Sequence, residues 1–273
     1  MRVLVLGGSG FVGQTIVRGL APHYDVMAPT SSELDLTDIQ AVTRFFYRYR
    51  NITIDAVVNC AANTDSDMCQ FFDVQKFQHN VKIISNLLLV KANFGRLINF
   101  GSGAEFDRNT NIFNANEADI WSHMPSDHYG LSKNITSRMV NCTLHCYTLR
   151  LFGTFGPGEH QNRLLKKVLR GEPLDVMNRA FDYFYVEDIV PVVRYFLEQP
   201  VPLFRDVNLT YQLAAQDRFL ESLISKFCAI HGIRNPAQII DARPMHHYTG
   251  NGNRLQQLGI PLVGLERGLE EYR

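Results

Sequence analysis

Arg2-Val3-Leu4-Val5-Leu6-Gly7-Gly8-Ser9-Gly10-Phe11-Val12-Gly13 is the stretch that decides the fold. Its Val/Leu run suits a parallel strand buried on both faces. Gln14 to Leu20 then reads as a helix. Between them the glycines at 7, 10 and 13 have three jobs: a tight turn, close approach of the backbone to a pyrophosphate, and close packing of helix on strand. Anionic phosphates would rest on the free N–H groups at the helix start, where the dipole favours them. Gly7, Ser9, Gly10, Phe11, Val12 and Gly13 therefore form a candidate dinucleotide-binding loop.

Working outward, strands and helices alternate. Tyr24–Ala28 reads as a second strand, and Asp38 as the N-cap of a helix through Tyr49. Ile54–Asn59 is a buried strand whose exit, Cys60-Ala61-Ala62, is small enough for a backbone to pass close to a cofactor. Helical regions are expected over 67–92 and 127–146, with a strand from Arg96 into the small-residue corner at Ser102. The pattern predicts an α/β protein: a Rossmann-type doubly wound parallel sheet with a small carboxyl-terminal substrate-binding lobe. Residues 1–160, with returning segments near 180–195, are assigned to the dinucleotide-binding domain, and 161–273 mainly to the lobe.

Composition narrows the class. With 27 basic and 27 acidic residues, nothing pulls the chain globally toward nucleic acid or an anionic membrane. The most apolar later stretch, Ile83–Val90, is too short to span a bilayer. The amino end runs straight into the glycine loop rather than a cleavage region, so a cytoplasmic protein is expected. The cysteines at 60, 69, 142, 146 and 228 show no Cys-x-x-Cys spacing and read as reduced thiols. Cys142 and Cys146 are expected on one helix without matching ligands elsewhere, and His246-His247 read as loop residues; no metal site is expected.

Tyr129-Gly130-Leu131-Ser132-Lys133 carries the chemistry. A tyrosine and a lysine one helical turn apart share a face, where the ammonium favours phenolate and prepares the phenol for proton transfer. Ser102 upstream completes a Ser-Tyr-Lys set whose hydroxyl can bond a substrate oxygen. A turn serine satisfying its own backbone is the competing reading.

The Gly-x-x-Gly-x-x-Gly spacing and the Ser-Tyr-Lys set resemble the short-chain dehydrogenase/reductase superfamily. Leu149–Gly158, Phe181–Asp188 and the closing segment 253–269 resemble its extended branch, the nucleotide-sugar epimerases, dehydratases and reductases. That resemblance covers nearly the whole chain. It implies cofactor contacts from Asp35 and Leu36 at the adenine, from Cys60, Ala61, Ala62, Asn80 and Phe152, and from Tyr129 and Lys133 at the nicotinamide ribose. It also implies a homodimer paired through the two long helical regions and a role in polysaccharide biosynthesis. The second strand runs into Pro29-Thr30-Ser31-Ser32 with no carboxylate until Glu33, which favours NADP(H), although no arginine clamps a 2′-phosphate and NAD(H) stays possible.

Within the branch, dehydratases place Asp-Glu directly after the serine-type hydroxyl; here Gly103 and Ala104 stand there. GDP-L-fucose synthase has a cysteine at the place of Ala104, and alanine exchanges no proton, even with His160 nearby. The remaining expectation is a reductase of a 4-keto-6-deoxy nucleotide-diphosphate sugar, similar to dTDP-4-dehydrorhamnose reductase. A nucleotide-sugar 4-epimerase is the first alternative, and a non-catalytic NADP(H)-binding regulator the second. Ala104, Arg163, Arg179 and Arg243 are candidate substrate contacts; each arginine reads equally as a solvated surface residue. The branch usually has arginine where this chain has Phe181.

Overall fold

The computed structural model describes residues 1–64, 73–240 and 246–272. In chain order the first half runs β1 (Arg2–Leu6), α1 (Phe11–Leu20), β2 (Asp25–Met27), α2 (Ile39–Arg48), β3 (Ile54–Asn59), α3 (Val74–Leu89), β4 (Phe94–Ser102), β5 (Ile112–Ala115) and α4 (His128–Asn141). The second half runs β6 (Cys146–Leu151), β7 (Gly153–Phe155), α5 (Leu164–Leu169), β8 (Leu174–Met177), β9 (Tyr183–Tyr185), α6 (Ile189–Glu198), β10 (Asp206–Leu209), α7 (Leu220–His231), β11 (Ala237–Ile240), β12 (Tyr248–Gly250), α8 (Asn253–Gln257) and α9 (Leu265–Glu270).

Six parallel strands form the central sheet in the order β10-β6-β4-β3-β1-β2. Both of its faces are covered, as the expected architecture requires. On one side α1 and α6 pack over Val3, Val5, Ile98 and Leu149; on the other α2, α3 and α4 cover Leu4, Leu6, Val57 and Leu97. Carboxylates start the second set of helices. Asp38 accepts the Gln40 N–H (2.8 Å), Asp73 the Gln75 N–H (2.9 Å) and Asp127 the Gly130 N–H (2.8 Å), each satisfying a donor the helix leaves open.

One boundary differs from the sequence reading. Helix α4 stops at Asn141, Cys142 caps it, and His145 takes a left-handed turn (φ 55°) before Cys146 opens β6, buried. Cys142 and Cys146 therefore share no helix face. Apolar periodicity across 142–146 mistook the first strand residues for a last helical turn. Helix α3 begins at Val74, and the earlier part of the region expected from 67 lies largely outside the described residues.

The remaining chain makes short parallel pairs, β7 with β9 and β8 with β11 around a core of Phe155, Leu165, Tyr183, Tyr185, Ile224, Phe227 and Tyr272, and β5 with β12 over Phe106, Ile112, Phe152 and Tyr248. Strand β10 returns to the main sheet from this half. Asp182, 2% exposed, ties the parts together. Its carboxylate accepts from Arg218 Nε (2.8 Å), Thr210 Oγ1 (2.6 Å) and the Gly250 N–H (2.8 Å).

This packing predicts a steep alkaline limit. Burial raises the phenols of Tyr183 (to about 12), Tyr185, Tyr211, Tyr248 and Tyr272, with acidic neighbours adding to the rise at Tyr185, Tyr211 and Tyr272. Between the ordinary phenol value and these raised values the unfolded chain has lost protons that the fold retains, so stability falls as pH rises. Urea midpoints should hold steady below about pH 9.5 and drop progressively from about pH 10 upward. A flat profile to pH 12 would show that these phenols ionise without opening the fold.

Candidate active site at the carboxyl edge of the sheet

The glycine loop leaves β1 at the carboxyl end of the strands, where ligands bind in open α/β sheets. Gly7 has φ 71°, and a Cβ there would lie 2.6 Å from the Ala61 nitrogen. A Cβ on Gly13 would lie 2.1 Å from the Gly7 oxygen. Loop, helix and the β3 exit are thus packed to backbone contact, which is the cradle a pyrophosphate needs. In front of them opens a cleft of about 290 Å³. Gly7, Ser9, Gly10, Asp35 and Leu36 line it, together with Cys60, Ala61 and Ala62. Phe11, Val12 and Gly13 form the first turn of α1 behind it.

Other expected cofactor residues are placed differently. Asn80 is buried; its amide accepts from the Asn63 N–H (2.7 Å) and donates to the Asn63 carbonyl (3.0 Å) and to Ser132 Oγ (3.0 Å). It braces the β3 exit loop against α4. Phe152 sits in an aromatic cluster with Phe106 and Tyr248, beneath Gly103. Asp35 turns one oxygen to the Thr37 N–H (2.8 Å) and hydroxyl (2.7 Å); those bonds hold its carboxyl below the usual range.

Ser102 ends β4, and Tyr129 and Lys133 lie on α4, which packs against that strand. Ser102 is 8% exposed; its Oγ accepts the Ala104 N–H (3.2 Å). Lys133 Nζ donates to the Phe100 carbonyl (2.6 Å), one residue pair back along the same strand. Burial, the dominant influence, holds the Lys133 ammonium below the ordinary lysine range, with Glu105 and Cys60 pulling the other way. Burial likewise pushes the Cys60 thiol up. Tyr129 is half-buried, with the Arg108 guanidinium 5.4 Å from its ring centre, and Arg108 is in turn paired with Asp127 (2.6 Å).

Glu105 is a site residue that chemistry-minded reading of the sequence missed. It is fully buried, as is its partner Arg150. Its Oε1 accepts the Ser102 N–H (2.7 Å) and the Ser137 hydroxyl (2.8 Å), and its Oε2 accepts Arg150 Nε (2.7 Å). Burial opposes the Arg150 charge, but Glu105 and Asp206 outweigh it and hold the guanidinium above its usual range. The signal was present: Ser102-x-x-Glu105 is the spacing of a capping box, and the structure forms one.

Of the two candidate arginines among the described residues, Arg179 is the less committed. It is half-buried, packs over the Phe181 ring (5.2 Å), and makes no side-chain hydrogen bond or ion pair among the described residues. Burial, the main effect, holds its guanidinium below the ordinary range, so an incoming anion would be well received. Arg163 is more committed, donating to the Thr154 carbonyl (2.9 Å) beside Glu159. Ala104 is sealed in its turn at 1% exposure, and Arg243 lies outside the described residues. His160 is exposed, and its Nδ1 accepts the Asn162 N–H (3.2 Å) of its own loop. No cluster of His, Cys, Asp or Glu suited to a metal occurs among the described residues.

A glycine-packed cleft at the carboxyl edge of a doubly wound parallel sheet is the class of site that holds a nucleotide cofactor. Residues 3–209 match the NAD dependent epimerase/dehydratase family, and the chain belongs to it. CDP-abequose synthase of Yersinia pseudotuberculosis is 23% identical over 218 residues, 72% of this chain and 73% of that protein. Among solved structures, GDP-mannoheptose C4 reductase from Campylobacter jejuni with NADP bound superposes with a TM-score of 0.80 at 17% identity, covering 99% of this chain and 96% of that one. UDP-glucose 4-epimerase of Thermus thermophilus in complex with NAD gives 0.74 at 19% identity, over 99% and 97%. These likenesses establish the fold expected from the sequence. They support an enzyme that modifies nucleotide sugars with a nicotinamide cofactor. Among the described residues no helix is long and apolar enough to cross a membrane.

Proposed function

We propose that this protein reduces a 4-keto-6-deoxy nucleotide-diphosphate sugar. The observation that carries the reading is the composition of the corner around Ser102. Ser102, Tyr129 and Lys133 bring a hydroxyl, a phenol and an ammonium for one proton transfer, and the three residues after Ser102 offer no free second acid or base. Gly103 and Ala104 have no ionisable group, and Glu105, the nearest carboxylate along the chain, is fully buried against Arg150. Elimination of water or epimerisation beside the carbonyl needs that second group. Reduction does not.

The cleft residues from Gly7 to Ala62 fit a nicotinamide dinucleotide, because Gly7 and Gly13 pack the loop to backbone contact with its neighbours while a Cβ on Gly10 would meet nothing nearer than the Gly7 oxygen at 3.5 Å. Bound there, the reduced cofactor supplies the hydride. Tyr129 donates its proton to the alkoxide that forms on the sugar. Lys133 stabilises the phenolate left behind, and Ser102 bonds the carbonyl oxygen so that charge develops toward a donor already in place. Arg179 would receive the diphosphate. The reading extends to a cytoplasmic homodimer paired through α3 and α4.

The assay is loss of reduced-nicotinamide absorbance with 4-keto-6-deoxy sugars carried on different nucleotides. Turnover with at least one supports the reading, and none with any would overturn it. The same assay measures cofactor choice. Ser31 offers a hydroxyl to a 2′-phosphate at the cleft, but no lysine or arginine lines it among the described residues, and the Glu33 carboxylate folds back onto the Thr30 N–H (2.8 Å). Without a charged clamp, the preference for NADPH over NADH in kcat/KM should stay within about tenfold. A hundredfold preference would require a cation that this edge does not present.

A further inference from the structure

One face of α3 runs along the segment that follows β2. Asn86, buried on that face, donates to the Leu36 carbonyl (2.8 Å) and fastens helix to segment. Ile83, one turn back, packs in one apolar cluster with Leu34 and Leu36. His79, a further turn back, is exposed and lines the cofactor cleft together with Ile83. Leu34, Leu36 and Ile83 give this end of the cleft an apolar wall, and the side chains of Asp35 from the segment and His79 from the helix stand beside it.

Both side chains have unused capacity. Asp35 Oδ1 takes the two Thr37 bonds, and Oδ2 has no hydrogen-bond partner among the described residues. Neither ring nitrogen of His79 makes a hydrogen bond among them. After the Thr37 bonds, which act most, charge on His79 also helps hold the Asp35 carboxyl down. A carboxylate only accepts, and an imidazole always has an N–H to give. An acceptor and a donor beside an apolar wall complement a flat base whose amine neighbours a ring nitrogen, which is the pairing edge of adenine. We propose that His79 donates to adenine N1 while Asp35 accepts from the N6 amine, so that the pair selects the base of the dinucleotide. The family resemblance places only Asp35 at the adenine; His79 supplies the second half of the reading. Hypoxanthine and guanine carry the opposite pattern, a carbonyl beside an N–H, and their carbonyl would meet the Asp35 carboxylate acceptor to acceptor. This assignment rests on the dinucleotide cleft and is independent of the sugar.

The test is fluorescence titration of the full chain with NADH and with its hypoxanthine analogue, no sugar being present. The wild-type protein should bind NADH at least about tenfold more tightly than the analogue. His79→Leu should weaken NADH by about 3- to 10-fold, the loss of one hydrogen bond, and the analogue by less than about twofold, because its N1 carries a proton and its carbonyl is turned away. His79→Gln, which keeps an N–H on a side chain of similar reach, should restore NADH to within about threefold of wild type. Equal losses for both ligands in His79→Leu would mean that His79 only props the wall of the cleft. An unchanged NADH affinity in that variant, or a wild-type protein indifferent to the base, would mean that the pair does not read it. Each of these results overturns the assignment while leaving the reductase reading to its own assay. Conversely, base selection through His79 in a chain that turns over no keto sugar would uphold the assignment and remove the reductase reading.

Discussion

Tyr129→Phe is expected to reduce turnover by roughly 10²- to 10⁴-fold while leaving dinucleotide affinity within about twofold. In the proposed mechanism the phenol gives the proton, and Lys133 on the same helix face supports the charge left behind. Binding should survive, because the cradle at Gly7 and Gly13 and the loop at Cys60–Ala62 lie on other elements. Fluorescence titration of reduced cofactor, beside steady-state rates, separates the two effects. A variant with more than about a tenth of wild-type kcat would dismiss Tyr129 as the acid.

The second large effect lies beneath the site. Glu105→Ala should destabilise the protein by roughly 3–5 kcal/mol, because it strips a fully buried guanidinium of its carboxylate. Arg150 would keep only the Asn208 oxygen (2.9 Å) and the more distant Asp206 (3.7 Å), and the Ser102 N–H would lose its acceptor. A fall in melting temperature on the order of 10 °C is expected for a chain of this length. Replacing both partners together, Glu105→Leu with Arg150→Met, should recover part of it, since an apolar pair of similar volume leaves no buried charge to compensate while the Ser102 N–H still lacks its acceptor. If Glu105→Ala shifts stability by less than about 1 kcal/mol, the pair is not the support assigned to it.

Much of this architecture was legible in the sequence because local rules agree with the fold. The run Val3–Leu6 followed by spaced glycines has few other uses, and the cleft lies where that motif predicts. The Asp38 cap was legible for the same reason, being a contact between near neighbours. Contacts that depend on the return of a distant segment were not. Nothing in His246-His247-Tyr248 marks a ring that closes on Gly103, since that meeting is created by β12 pairing with β5. Glu105 lay between. Its capping-box spacing was visible, but its partner Arg150 stands on β6, and only the sheet order brings them together. The end of α4 was misread because Cys142–Cys146 continues an apolar spacing, and His145 breaks it through backbone conformation rather than composition.

Hydride transfer itself is the most direct measurement of the central claim. With cofactor deuterated at the transferring position of the nicotinamide and a 4-keto-6-deoxy nucleotide sugar, mass spectrometry and NMR should find one deuterium on C4 of the product, with oxidised cofactor formed in equal amount. An isomerised nucleotide sugar free of label, made with no net oxidation of cofactor, would contradict the account and identify a 4-epimerase in its place.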